Sequence, residues 1–252
     1  MEQHNPRLYR PGELENNWQF HLTPPAVSQF PPSAAVVFDC EMGVTQAGES
    51  ELIRVSVVDY FSSAVLLDSL VWPDAKMGSL NTPFSGVSWK ALNEARRNRT
   101  CLFGRQKARE AVWSLLGPDT VVIGHGANND LNILRWIHPC IIDTLLVEQN
   151  FRKLQEDAAN EQEAREGTQQ QDPAPIEPKN KKEGQKDAGA DLDTKPSEGR
   201  GGGGGLSLKK LTKERLGRTI QVSGKGHDSI EDAIATRDIL HWHVSQMLQA
   251  SH

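Results

Sequence analysis

Cysteine is scarce in this chain and poorly placed for chemistry. The three thiols, Cys40, Cys101 and Cys140, are odd in number, far apart and without a CxxC pair. That excludes a disulfide framework and a zinc cluster, and all three read as small buried hydrophobes. Long apolar runs are also missing: aliphatic residues come in short blocks between polar stretches, which excludes a membrane-spanning helix and predicts no membrane contact. The opening residues, MEQHNPRLYRPGELENNW, lack the charged-then-apolar layout of a secretory leader, so an intracellular protein is expected. Nor is there an excess of positive charge, since the net charge is −5.

What is present divides into four parts. Residues 1–33, rich in Pro and polar groups with only scattered aromatics, read as an extended N-terminal arm. From Ala34 the runs AAVVFD, LIRVSVVD (52–59) and AVLLDSLVW (64–72) predict three consecutive strands in a meander. SWKALNEARR (88–97) and GRQKAREAVWSLLG (104–117) read as helices, TVVIG (120–124) as a short buried strand, NDLNILRWI (129–137) as a helix and CIID (140–143) as another strand. TLLVEQNF opens a further helix. Residues 151–205, rich in Gln, Glu, Lys and Gly, predict a disordered insertion that splits the domain, which resumes in 206–252 with the helix LSLKKLTKERLG and a last helix beginning in GHDSIEDA. In that last helix Asp228 is the expected N-cap, and Glu231 stands at the spacing of a capping box. The alternation predicts an α/β fold with a central mixed sheet. Trp72, Trp89, Trp113 and Trp136 are expected to pack in or beside its core.

The parts on either side of the insertion, 34–150 and 206–252, hold 17 basic and 18 acidic side chains, so they are close to neutral. Arg96, Arg97, Arg99, Arg105, Lys107 and Arg109 form one basic stretch, and Lys209, Lys210, Lys213, Arg215 and Arg218 another. Each is most simply a solvated helix face, and together they are candidates for holding a polyanion.

Asp39 and Glu41 end the first strand as FDCEMG, and the two-residue period puts both carboxylates on one face of the sheet. Hard oxygen ligands of this kind suit Mg²⁺ or Mn²⁺. Asp130 follows a buried strand near a helix start, where an acid is equally well explained by the helix dipole. His227 and Asp232 sit at the beginning of the last helix, able to face one pocket from a rigid base. Each piece alone has an ordinary structural explanation. In combination, four carboxylates can hold two divalent ions across a phosphodiester, one activating water and the other stabilising the leaving oxygen. A histidine beside them, with an unperturbed pKa of roughly 6.5, suits a general base near neutrality.

On FDCEMG, ESELIRVSVVD, NTPFSGVSWKAL, VVIGHGANNDLNIL, IIDT, SLKKLTKERLGRTIQ and GHDSIEDA, in that order, the chain resembles the DEDDh exonucleases of RNase H-like fold, and more narrowly the RNA exonucleases of the Rex type. The resemblance implies an RNase H-like mixed sheet flanked by helices and a two-metal 3′→5′ exoribonuclease. Its substrate would be single-stranded RNA 3′ ends and its products 5′-monophosphates, made in RNA processing or turnover and more in the nucleus than in the cytoplasm. By position, Asp39, Glu41 and Asp232 would hold the first Mg²⁺ or Mn²⁺, with Asp39 bridging to a second held by Asp130, and His227 would be the base. Met42, Gly43, Asn81, Ser85, Gly86 and His125 would be substrate contacts. Many relatives carry tyrosine and arginine before the threonine of the SG block, where this chain has Leu80 and Asn81.

Two other activities fit the same residues: a poly(A)-type deadenylase, suggested by the GHG and IIDT pieces, and a DNA exonuclease. A non-catalytic RNA-binding protein would show eroded metal positions, yet all five are filled.

Overall fold

The computed structural model describes residues 12–26, 31–169, 206–222 and 226–250. The chain divides into two units, residues 1–149 with 205–252, and residues 150–204. The first unit is built on a mixed sheet. Strands β2 (Ala35–Thr45), β3 (Ser50–Asp59) and β4 (Val65–Trp72) form the expected antiparallel meander, and β7 (Val121–Gly124) lies parallel to β2 with β9 (Ile141–Asp143) parallel to β7. The short β5 (Met77–Ser79) pairs with the far end of β2, and β6 (Leu102–Phe103) adds parallel to β4.

Alternation along β2 divides its side chains between two layers. Val36, Phe38 and Cys40 enter a core shared with α4 (Gly104–Trp113) and α5 (Asn128–Leu134). Ala35 and Val37 face Ala233 and Leu240 of α8 (Ser229–Ala250). Asp39 and Glu41 continue the second set, which directs them to the start of α8.

Expectations are corrected in four places. The supposed arm is partly docked: α1 (Glu13–Trp18) buries Leu14, and β1 (His21–Leu22) pairs in parallel with β8 (Trp136–Ile137). Thr23 locks the contact, its hydroxyl accepting the Trp136 indole N–H at 2.7 Å. This pairing also shortens the predicted 129–137 helix, which stops at Leu134 because Trp136 and Ile137 are in β8. Second, α6 runs Thr144–Gln169, so 151–169 is helical where disorder was expected, while 170–205 lies outside the described residues. EDAANEQEARE lacks an apolar stripe but is made mostly of strong helix formers, and Glu161 pairs with Arg165 one turn on at 3.7 Å. Third, Trp89 is 43% exposed instead of packed. Fourth, Cys140 is half-buried, whereas Cys40 and Cys101 are buried as expected. Among the described residues, no helix is long and apolar enough to cross a membrane.

Most of the two basic stretches serves the fold. Arg109 is buried and donates to Leu134 O at 2.8 Å, Arg105 pairs with Glu51, and Arg96 lies 4.1 Å over the Trp72 ring. In the second stretch Arg215 clamps the fully buried Glu148 and Arg218 pairs with Asp238. Arg97 and Arg99 stay exposed on and just beyond α3 (Trp89–Asn98).

Candidate active site

β7 pairs with β2 only as far as Val37 and β5 only from Val44, so between those points this edge of β2 is open. Asp130, in the first turn of α5, enters there, and its carboxylate accepts the Cys40 N–H at 3.1 Å. The start of α5 is itself fastened by Asp143, whose carboxylate accepts the N–H groups of Gly126, Ala127 and Leu145 at 2.8–3.0 Å. That role was not foreseen for Asp143, although the IIDT step at a strand end was visible.

From the other side comes the start of α8. Ser229 Oγ lies 2.7 Å from Ser56 Oγ of β3, next to Asp39 in register, and Asp228 pairs with Arg54 at 3.1 Å. Arg54 stands directly opposite Glu41 and also grips Asp68 of β4 with two hydrogen bonds. One cation thus ties β3, β4 and α8 together beside the acids. The predicted capping box is not formed as expected: Asp228 does cap, accepting the Ile230 N–H, but Glu231 turns away to accept the Gln221 N–H. The Gln221 side chain in turn donates to Asp232 at 2.9 Å. Gln221 and Arg54 were missed because each acts through a contact distant in sequence.

The result brings Glu41, Asp232 and His227 together with one ligand atom from each within 4.8 Å of the others. His227 Nδ1 is 3.6 Å from Asp232. Burial raises all four carboxyls. Asp39 is pushed well up by burial and then by the charges of Asp130, Glu41 and Asp232, with Arg54 opposing. Glu41 rises to about 8 through burial and the Asp232 charge, Asp130 to about 7 through burial, and Asp232 rises mainly through burial. Among the described residues, neither Glu41 Oε1 nor Asp232 Oδ1, both buried, has a hydrogen-bond partner. Buried oxygens with no donor, in a crowd of mutually repelling carboxylates, are the fingerprint of a divalent-cation site, and these residues fit one.

This electrostatic crowding has a measurable consequence for the metal-free protein. Unfolded, these carboxyls lose their protons in the ordinary range, roughly pH 4; folded, Asp130 holds its proton until about pH 7 and Glu41 until about pH 8, with Asp39 and Asp232 also shifted upward. Over that window the native state binds more protons, so stability falls as pH rises. Metal-free protein is expected to melt at a lower temperature at pH 8 than at pH 6, and Mg²⁺ or Mn²⁺ to restore more at pH 8. Calorimetric melts with and without EDTA check it, and equal melting at both pH values would contradict the crowding.

The six expected substrate contacts separate. Met42 is half-buried against the core. Gly43 is buried where a Cβ would meet Met77 and Ser79 O. Ser85 is 1% exposed, its hydroxyl donating to Leu80 O and accepting from Val87 N. His125 uses both ring nitrogens, on Thr144 Oγ1 at 2.9 Å and Leu206 O at 3.1 Å. These four take part in the packing and hydrogen bonds of the fold. Asn81 and Gly86 remain accessible, in the turn that holds α2 (Thr82–Ser85). The same turn presents Phe84, 68% exposed with its ring 6.5 Å from that of His227, which sequence reasoning missed because TPFSG reads simply as a turn.

No family model matches the chain. It is 31% identical to RNA exonuclease 3 of Emericella nidulans over 247 residues, covering 88% of this chain and 30% of that protein. It is 34% identical to RNA exonuclease 3 of Saccharomyces cerevisiae over 202 residues, covering 80% of this chain and 35% of the relative. The chain therefore spans only a minor part of the length of these relatives. In structure it is similar to the Neurospora crassa Pan2 catalytic unit of protease and nuclease domains, with TM-score 0.58 at 18% identity over 92% of this chain and 31% of the other. A Saccharomyces cerevisiae Pan2 pseudoubiquitin hydrolase-RNA exonuclease module in complex with A7 RNA gives TM-score 0.56 at 19% identity over 97% and 34%. The sheet order, the acids in the middle of β2 and the arrival of His227 and Asp232 at the start of α8 accompany this likeness, and the chain is a relative of the RNA exonuclease 3 proteins over the part of them that it spans.

Proposed function

We propose that this chain is a metal-dependent 3′→5′ exoribonuclease that removes nucleotides one at a time as 5′-monophosphates, in RNA processing or turnover. The observation that carries the reading is the set of four raised, mutually repelling carboxyls, two of which, Glu41 and Asp232, gather with His227. Asp39, Glu41 and Asp232 would hold one Mg²⁺ or Mn²⁺ and Asp130, with Asp39, a second. Bound there, the ions would supply charge neutralisation for the scissile phosphate and a lowered pKa for the attacking water. His227 would accept the proton of that water, and Asp232, 3.6 Å from its Nδ1, helps to orient the ring. Arg54 keeps the acid-bearing strand and the start of α8 in fixed relation.

Phe84 offers a π-face beside the base for the terminal nucleotide. Base–aromatic stacking contributes about 1–3 kcal/mol, so Phe84→Ala is expected to raise KM for RNA roughly 5- to 100-fold with a smaller effect on kcat. Because the ring is 68% exposed, the melting temperature should hold. Steady-state kinetics check this, and an unchanged KM would remove Phe84 from the substrate path. The function itself is tested by a panel of ribo- and deoxyribo-oligonucleotides of mixed and oligo(A) sequence. Shortening of mixed RNA is expected, whereas preference for DNA or strict need for oligo(A) would replace this reading with one of its two neighbours.

A further inference from the structure

Where His227 leaves the loop ahead of α8, its backbone is pressed against the Thr82–Gly86 turn. The His227 N–H donates to the carbonyl of Phe84 at 2.6 Å. Two glycines meet at the same place. A Cβ on Gly226 would lie 2.5 Å from Gly86 Cα and 3.0 Å from Thr82 O, and a Cβ on Gly86 would collide with the His227 carbonyl oxygen. Both have positive φ, +74° and +66°. The turn behind them is stiff: Thr82 Oγ1 donates to Val87 O, Ser85 Oγ to Leu80 O, and Gly86 N to Thr82 O, while Leu80 and Val87 are anchored in a core with Ile53 and Leu92.

We infer that the Gly86–Gly226 contact and the Phe84 carbonyl form a clasp that sets the position of His227, which makes both glycines positioning residues for the base. The inference rests on the reading of His227 as the base. Without the clasp, the histidine would depend on a loop for its place; with it, the backbone N–H is tied to a turn rooted in the core. Any side chain at either position pushes the two segments apart and carries the imidazole away from Asp232 and Glu41. Displacements of about 1 Å at a reacting group can cost on the order of 100-fold in rate.

A double-mutant cycle tests this, with single-strand RNA hydrolysis measured well below each variant's melting temperature. Gly86→Ala is expected to lower kcat about 10- to 100-fold with KM within about 3-fold. In the His227→Ala background the same change should cost less than about 3-fold, because the group it misplaces is already gone. Gly48→Ala is the control for backbone strain alone: Gly48 also has positive φ (+84°), but nothing lies within 4 Å of its Cβ position, and kcat should not change. Should Gly86→Ala not fold, Gly226→Ala makes the same collision from the other side. An equal loss in both backgrounds, or no loss from either glycine variant, would overturn the clasp. Full activity of His227→Ala alone would instead remove the base, and the clasp with it.

Discussion

Asp39→Asn is expected to yield a protein that is harder to unfold without metal and nearly inactive. The amide keeps the volume of the carboxyl and removes its charge, and that charge is opposed by burial and by Asp130, Glu41 and Asp232 together. Relief of this repulsion stabilises the metal-free native state, and more so towards pH 8, where Asp130, at about 7, has lost its proton and Glu41, at about 8, is losing its own. The same change removes the carboxylate that would sit between two cations. Metal stabilisation of the reacting phosphate amounts to several kcal/mol, and each 1.36 kcal/mol is tenfold in rate, so hydrolysis should fall by on the order of 10³-fold or more. Melting curves and single-turnover hydrolysis of the same preparation separate the two effects. A variant less stable than the parent would show that Asp39 is held by favourable contacts, and its charge could not then be attributed to a cation site.

The largest stability effect is expected at the opposite end of α8. Glu148 is 0% exposed and accepts two hydrogen bonds from Arg215, at 2.6 and 3.3 Å, with His243 Nε2 at 2.9 Å. The three residues join α6, α7 (Leu208–Leu216) and α8, and Arg215 also lies 4.6 Å from the Trp242 ring centroid. Removing one member of a buried charge cluster leaves another without its counter-charge, typically at about 3–5 kcal/mol. Folded domains have only about 5–15 kcal/mol in total, so Glu148→Ala should lower the urea midpoint severely. Kinetic constants measured in the cold should change little, because the hydrogen bonds described for this cluster join Glu148, Arg215 and His243 to one another and not to the five site residues named above. A loss under about 1 kcal/mol would show that water reaches Arg215 readily.

How much of this was legible beforehand follows from the range over which each feature is determined. The meander, the strand acids and the start of the last helix are local patterns, and each emerged where its periodicity and end signals placed it. The grouping of Glu41, His227 and Asp232, with the charges of Asp39 and Asp130 beside them, was readable because the order of these residues along the chain is set by the topology that gathers them. The docking of the first described segment was not readable, since His21, Leu22 and Thr23 gain their meaning from Trp136 and Ile137, more than a hundred residues away. The helix through 151–169 was missed because propensity without an apolar stripe resembles disorder in composition. Gly43 and Ser85 also serve packing that shows only in the folded chain, a close approach to Met77 and Ser79 O and a hydroxyl bond to Leu80 O. Phe84 and the paired glycines went unnoticed because a turn's sequence does not reveal what it touches.

The central claim is a metal-dependent attack that proceeds inward from the 3′ end. It is tested most directly with 5′-labelled single-stranded RNA, incubated with the purified chain and Mg²⁺ or Mn²⁺ and sampled over time. The account predicts a ladder of labelled fragments shortening one nucleotide at a time, with 5′-monophosphates released and the whole reaction abolished by EDTA and by Asp39→Ala. Shortening that persists in EDTA or in the Asp39 variant, or release of the label as the first product, would contradict it.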